Sequence, residues 1–261
     1  MLFYFSATGN SRYAAQTLDS DIRSIPQEMQ RAGKLSYKAD AIGIVYPIYG
    51  HMMPHMVREF IQRATFDTPY FYLVLTYGNR HANAVEIAQE NMRAVGVEPA
   101  YISTLLMVDN WLPSFDMDEQ RALEPSKNID ANLARIKTDL AERKHWIEPV
   151  TDEDRAAHAQ FMSRGLRFEP EDLEGFLAID ADKCRDCGIC AKVCPAGCIR
   201  IKNGAAQRCA TAGQGCNACL ACIHACPHGA ISLTWGEKNP QARFRNSHVS
   251  LAQIIEGNRT A

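Results

Sequence analysis

The chain has 261 residues, and its ten cysteines all fall between Cys184 and Cys226. At roughly 100–200 residues per domain the length allows one large domain or two, and the cysteine step argues for two. A disulfide-stapled secreted scaffold is excluded, because a chain this long buries its own core and would not concentrate its thiols in one tract. The net charge of −2 hides an asymmetry. Residues 179–245 hold nine Lys/Arg and four Asp/Glu, a local +5 that leaves −7 elsewhere. These cations are scattered between cysteines with no aromatic platform beside them, so nucleic acid is not an expected partner. No run of about 18 apolar residues predicts a membrane span. The first residues, Met-Leu-Phe-Tyr-Phe-Ser, lack the basic start of a signal peptide, so a cytoplasmic location is expected.

Apolar, β-rich runs alternate with helical patterns through the first 148 residues. Residues 2–5 read as a strand, 10–18 as a helix and 22–25 as a short edge strand. The near-continuous apolar runs 41–46 and 70–77 fit parallel strands buried on both faces. Between them Pro54 opens a helix with Val57, Phe60, Ile61 and Ala64 on one face. Val85, Ala88, Met92 and Val95 mark the next helix, and 100–108 a fifth strand. Ile129, Leu133, Ile136 and Leu140 carry a long final helix ending before Pro149. The expectation is an α/β domain over 1–148, with a doubly wound parallel sheet of five strands. Residues 149–175 read as a polar connector and 176–235 as a compact second domain. The tail, 236–261, holds Arg243, Phe244, Arg245 and an apolar helical stretch that packs back on the body.

Within the second domain one pattern occurs twice, offset by 32 residues. Cys184-x2-Cys187-x2-Cys190-x3-Cys194-Pro195 is followed by Cys216-x2-Cys219-x2-Cys222-x3-Cys226-Pro227. In such a run three thiolates converge on one face of an iron–sulfur cubane, and the fourth, stiffened by proline, ligates the neighbouring cluster. The spacing therefore assigns Cys184, Cys187, Cys190 and Cys226 to one [4Fe–4S] cluster, and Cys216, Cys219, Cys222 and Cys194 to the other. Zinc knuckles need only four ligands from two paired motifs, with no proline. The tract resembles bacterial-type two-cluster ferredoxins, which implies a small α+β fold. Cys198 aligns with Ala230 and reads as a small buried hydrophobe; Cys209 lies outside the repeat.

Directly after the first strand comes Ser6-Ala7-Thr8-Gly9-Asn10-Ser11, then a helix. A turn of this kind aims backbone N–H groups and hydroxyls at one spot beside a helix N-terminus, where a phosphate can sit without lysine. An N-cap alone needs one such residue. The stretch resembles the FMN-phosphate loop of flavodoxins, Ser/Thr-x-Thr-Gly-x-Ser/Thr. Two further loops follow the third and fourth strands: Pro47-Ile48-Tyr49-Gly50-His51 and Thr76-Tyr77-Gly78-Asn79. They resemble the flavodoxin loops that cradle the isoalloxazine, which makes Tyr49 and Tyr77 the expected stacking rings. Flavodoxins often place tryptophan in the first of these loops, and here Tyr49 and His51 stand instead. Trp111, after the fifth strand, reads as core or interface packing.

With both halves in place the chain resembles a flavodoxin–ferredoxin fusion family found mainly in anaerobic bacteria and archaea. The resemblance implies an electron-transfer protein that moves low-potential electrons between two [4Fe–4S] clusters, FMN and redox-protein partners. No general acid, nucleophile or substrate pocket is evident in the sequence. A reductase reading, in which a small acceptor takes a hydride from flavin and a proton from His51 or Tyr77, stays open. So do an iron–sulfur sensor and a homodimer. The acidic first half, made more so by an FMN phosphate, predicts a basic partner patch docking on the flavin side.

Overall fold

The computed structural model describes residues 1–165, 168–173, 175–209 and 215–258. In chain order the first part runs β1 (Leu2–Tyr4), α1 (Asn10–Leu18), β2 (Ile22–Ser24), α2 (Ile25–Glu28), β3 (Leu35–Lys38), β4 (Ile42–Pro47), α3 (His55–Arg63) and β5 (Ala64–Asp67). It continues with β6 (Phe71–Tyr77), α4 (Ala84–Ala94), β7 (Tyr101–Leu106), α5 (Met117–Ala122), α6 (Ile129–Ala141), β8 (Trp146–Ile147) and α7 (Asp152–Met162).

The central sheet has the order β2-β1-β4-β6-β7-β8, with every neighbouring pair parallel. The first five strands in this row follow the doubly wound, flavodoxin-like order, whose ligand site lies at the carboxyl ends beside the strand that starts the chain. The sheet has six strands and not the expected five. α6 stops at Ala141, and the chain returns through β8, pairing Trp146 with Tyr101 and Ile147 with Ile102. Two residues, one of them an exposed tryptophan, carry no periodicity that could announce a strand. β3 and β5 are not among the expected strands either; they pair in parallel as a separate two-stranded sheet, and the short alternation Leu35-Ser36-Tyr37-Lys38 is the signal of β3. There Leu35 and Tyr37 point inward, and Phe3, Tyr37, Phe60 and Phe66 meet ring to ring at 4.5–6.3 Å.

The second part comprises β9 (Leu177–Ile179), α8 (Ile189–Val193), β10 (Ile199–Lys202), β11 (Ala205–Arg208), α9 (Ala221–Ala225) and β12 (Ile231–Leu233). β9 pairs with β12 and β10 with β11, both antiparallel. The repeat in sequence is a repeat in structure. α9 begins at 221 and α8 at 189, a separation of 221 − 189 = 32, and β12 follows β10 by 231 − 199 = 32. α10 (Leu251–Asn258) closes the described chain and packs on α2 and α8. Among the described residues no helix is long and apolar enough to cross a membrane.

The two parts share one core: Val193, Cys194, Ala196, Cys219 and Ala221 are buried together with Phe5, Tyr46 and Val57. Polar contacts lock the seam. Asn217 Oδ1 accepts the Met56 N–H at the start of α3 (2.9 Å), and Asn258 Nδ2 donates to the carbonyls of both Ser6 and Val193 (3.1 Å each). His224 accepts the Phe244 N–H on Nδ1 (3.1 Å), so its proton sits on Nε2 and is donated to the Asn110 carbonyl (2.9 Å). Burial holds this imidazole neutral, with its pKa lowered to about 4.

Gly43 shows how tightly the sheet is dressed. It faces Tyr72 across β4 and β6, and a Cβ placed there would lie 2.1 Å from the tyrosine ring. Gly43→Ala is expected to cost about 1–3 kcal/mol through overpacking. That corresponds to a fall of roughly 3–10 °C in Tm, read by thermal melting; a Tm equal to the parent's would contradict this packing.

Candidate functional site

A cavity of about 360 Å³ opens at the carboxyl ends of β1, β4 and β6. The three predicted loops converge on it, contributing Ser6, Ala7, Thr8, Asn10 and Ser11, then Pro47 to His51, then Thr76 to Asn79. Gly9 alone of the predicted residues does not line it. Its φ of +106° turns the strand into α1, and a Cβ there would lie 3.0 Å from Asn246 and Val249 of the tail.

Most side chains of the first loop hold the loop itself. Asn10 donates to the Val108 carbonyl (2.9 Å) and accepts from Asn246 (3.1 Å). Asn110 donates to Thr8 Oγ1 (2.6 Å), the Asn246 N–H reaches the Thr8 carbonyl (2.9 Å), and Ser11 shares a hydrogen bond with buried Thr76 (2.8 Å). Two resources are left. Ser6 Oγ is buried without a partner among the described residues. The N-terminus of α1, begun by a glycine, has no side-chain cap, so its first-turn N–H groups keep their capacity for an outside acceptor.

The two other loops are shaped by close approaches. Gly50 (φ +54°) and His51 (φ +66°) are consecutive left-handed residues, and a Cβ on Gly50 would meet Phe168 at 2.3 Å. Tyr49 exchanges backbone hydrogen bonds with Met52 and sets its ring edge-on to Phe5 at 6.3 Å. Burial, with the Cys219 and Cys216 thiols behind it, pushes the Tyr49 phenol well above its ordinary pKa. His51 packs against Phe161 (4.7 Å) and His158 (5.9 Å). Burial first, then His158, Arg80 and His81, lowers its pKa to about 4. Tyr77 stands edge-on to His81 at 5.2 Å. Gly78 passes so near the end of β7 that a Cβ would lie 2.3 Å from Asp109 Cα, and Lys127 ties the Gly78 carbonyl (2.9 Å).

Further walls were not foreseen. The connector supplies Phe161, Arg164 and Phe168, and the segment after β7 supplies Asp109 to Trp111 with Phe115. Most telling is the third contribution, Ala218, Cys219 and Leu220 from the second cysteine motif.

The cysteines fall into two groups. Cys184, Cys187, Cys190 and Cys226 line one small cavity; Cys194, Cys216, Cys219 and Cys222 line another, together with Cys198, which the predicted ligand set does not include. None of the ten cysteines is joined in a disulfide. Among the described residues no group of three or more His, Cys, Asp or Glu is arranged to hold a single metal ion. The convergence is made by backbone. Asp186 and Gly188 in the first motif, and Ala218 and Leu220 at the same places in the second, are all left-handed (φ +55°, +71°, +50° and +59°). For a non-glycine residue this costs roughly 1–2 kcal/mol, and such strain concentrates where side chains must be aimed. The repeat also places matching donors on sulfur: the N–H of Cys198 on Cys194 (3.2 Å) and the N–H of Ala230 on Cys226 (3.3 Å). A third N–H, from Ala206, reaches Cys184 at 3.4 Å.

Burial raises the Cys190 thiol to about 11, with Cys226, Cys187 and Cys184 adding. It pushes up Cys216, Cys219 and Cys222 as well; Cys222 also feels Cys190, so the two cavities are neighbours. Cys194 departs from this. A hydrogen bond from the Cys198 side chain, helped by backbone N–H groups, holds it well below the ordinary thiol range despite burial. Cys198 is buried, and Cys209 donates from sulfur to the Gly197 carbonyl at 3.3 Å.

A family profile described as a 4Fe-4S binding domain matches residues 176–199, the stretch that carries the first cysteine motif, so a 4Fe-4S binding domain is present there. No curated protein sequence matches the chain. Among solved structures the chain is similar to a Bacteroides uniformis ATCC 8492 protein described as a flavoprotein. The identity is 18 %, over 47 % of this chain and 94 % of that one, with a TM-score of 0.33.

The environment of His51 makes a titration prediction. A histidine held near 4 when folded, against about 6.5 unfolded, contributes stability that is complete above pH 6.5 and lost as the pH falls towards 4. In the ligand-free protein the His51 ring protons should titrate by NMR with a midpoint of about 4; a midpoint of about 6.5 would show that the ring is solvated.

Proposed function

We propose that the protein is an electron carrier of the flavodoxin–ferredoxin fusion type, with two [4Fe–4S] clusters and one FMN, serving redox-protein partners. When bound, the clusters supply one-electron chemistry and the flavin accepts one or two electrons. The observation that carries this reading is Cys219, which lines both the cavity of its own cysteine set and the large cavity at the sheet edge. One side chain thus forms part of both walls.

The residues fit the groups. Cys184, Cys187, Cys190 and Cys226 would hold one cluster, and Cys194, Cys216, Cys219 and Cys222 the other. The backbone N–H groups already directed at Cys184, Cys194 and Cys226 would stabilise negative charge on sulfur and so raise the potential. Ser6 Oγ and the uncapped turn of α1 offer donors where a phosphate needs them. The loops at 47–51 and 76–79 would flank the ring, with Tyr49 between it and the second cysteine set. Tyr49 is held as the neutral phenol, so it excludes water from the partition without adding charge.

Anaerobic purification followed by iron, sulfide and flavin analysis tests the reading. About eight irons with matching sulfide and one FMN per chain are expected; zinc without sulfide would end it. Cys219→Ser should remove about half of the iron, because only one set loses a ligand. Ser6→Ala should weaken FMN binding roughly tenfold while leaving iron unchanged, and equal affinity would take Ser6 out of the phosphate site.

A further inference from the structure

The mouth of the large cavity carries a chemistry that neither the phosphate loop nor the cysteines use. Arg80, just past the Thr76–Asn79 loop, and Arg164, just past α7, both line it and are both exposed. Among the described residues neither guanidinium makes an ion pair or a hydrogen bond; Arg164 bonds only through its backbone N–H, to the Phe161 carbonyl. Arg80 feels Asp154, but that carboxylate is already taken by the Thr151 N–H and hydroxyl (3.1 and 2.7 Å). His51, in the same lining, is lowered by burial first and then by His158, Arg80 and His81, while Tyr77 feels the carboxylates of Glu148 and Asp154. Asp109 is the one acid in the lining among the described residues. It lies under Gly78, with its carboxyl raised by burial.

Part of the same cavity wall is aromatic. Phe161 stacks on Phe168 at 6.3 Å, and Trp111 meets Phe168 edge-on at 5.3 Å. These rings and Arg164 come from the connector and from the segment after β7. The phosphate loop is held by different partners, Val108, Asn110 and Asn246. The arginines are therefore not needed as counter-charges for a phosphate at Ser6.

Two guanidiniums without partners, lining one cavity that also has aromatic walls, are complementary to a carboxylate on a flat apolar body: a guanidinium fork takes the two oxygens, and the rings take the body. We propose that this mouth, with Arg80 and Arg164, binds a small organic carboxylate beside the flavin site, which gives the cavity a small-molecule ligand in addition to its redox-protein partners. The acidic excess of the first half predicts a basic partner, whereas the cavity lining carries two arginines and one buried acid, and it is this lining that a bound ligand meets. The proposal rests on the flavin reading only for its location.

The test uses the full chain, purified anaerobically, with its flavin content measured first. Benzoate is titrated by calorimetry and by the visible difference spectrum, with benzamide as the neutral isostere. Saturable benzoate binding is expected, with benzamide at least about tenfold weaker. Arg80→Gln and Arg164→Gln should each weaken benzoate by a similar factor, and the double variant should abolish binding with flavin content unchanged. Absence of saturable binding, equal binding of benzamide, or full binding by the double variant would overturn the proposal. So would loss, in the double variant, of salt-dependent electron exchange with an acidic redox protein when benzoate never bound, because the mouth would then be a protein-docking site. If the chain takes up no FMN, the flavin assay alone records that failure, and calorimetry on the flavin-free chain still decides the carboxylate site.

Discussion

One side-chain amide joins the two functional halves of this molecule. Asn258 donates from a single nitrogen to the carbonyl of Ser6, at the tip of β1, and to that of Val193, one residue before Cys194. Both carbonyls are covered once α10 docks, and a buried carbonyl left without a donor costs about 1–3 kcal/mol. The loop that shapes one site and the helix that carries the other are thus held to the same point. Asn217 on Met56 and the neutral His224 between Phe244 and Asn110 repeat this logic across the seam. Asn110 then passes it to Thr8. The result is one continuous core, with the second cysteine motif built into the carboxyl edge of the sheet.

That construction explains which parts could be read from sequence. Long apolar runs are legible because a strand buried on both faces must be apolar throughout, and β4 and β6 match their expected positions within a residue or two. α1 spans the predicted residues. The three loops of the large cavity were legible from position, since loops after β1, β4 and β6 in a doubly wound sheet must meet at one edge. The cysteine grouping follows the spacing because two copies of one backbone path, left-handed at the same places, generate it.

What escaped has physical reasons too. β8 is too short for a pattern, and β3 and β5 are four residues each, with two buried side chains in β3 and one in β5. Phe161 and Phe168 are lone aromatics in a polar segment, and nothing in that segment says which surface they cover. The left-handed Asp186, Ala218 and Leu220 were invisible, because residue type announces that conformation only for glycine and, weakly, for asparagine or aspartate. Gly188, opposite Leu220 in the repeat, was the available clue: a glycine in one copy marks a conformation that its counterpart must share.

The two cysteine sets, near-identical in sequence, do not meet the outside world equally. Cys187 is exposed, whereas Cys194, Cys219 and Cys222 are buried and Cys216 is partly covered. Peroxide, dioxygen and chelators arriving from bulk water therefore reach the Cys184 set first and the Cys194 set last. Oxidation of the thiols would thus be graded, beginning at exposed Cys187 and reaching the buried cysteines behind Tyr49 last.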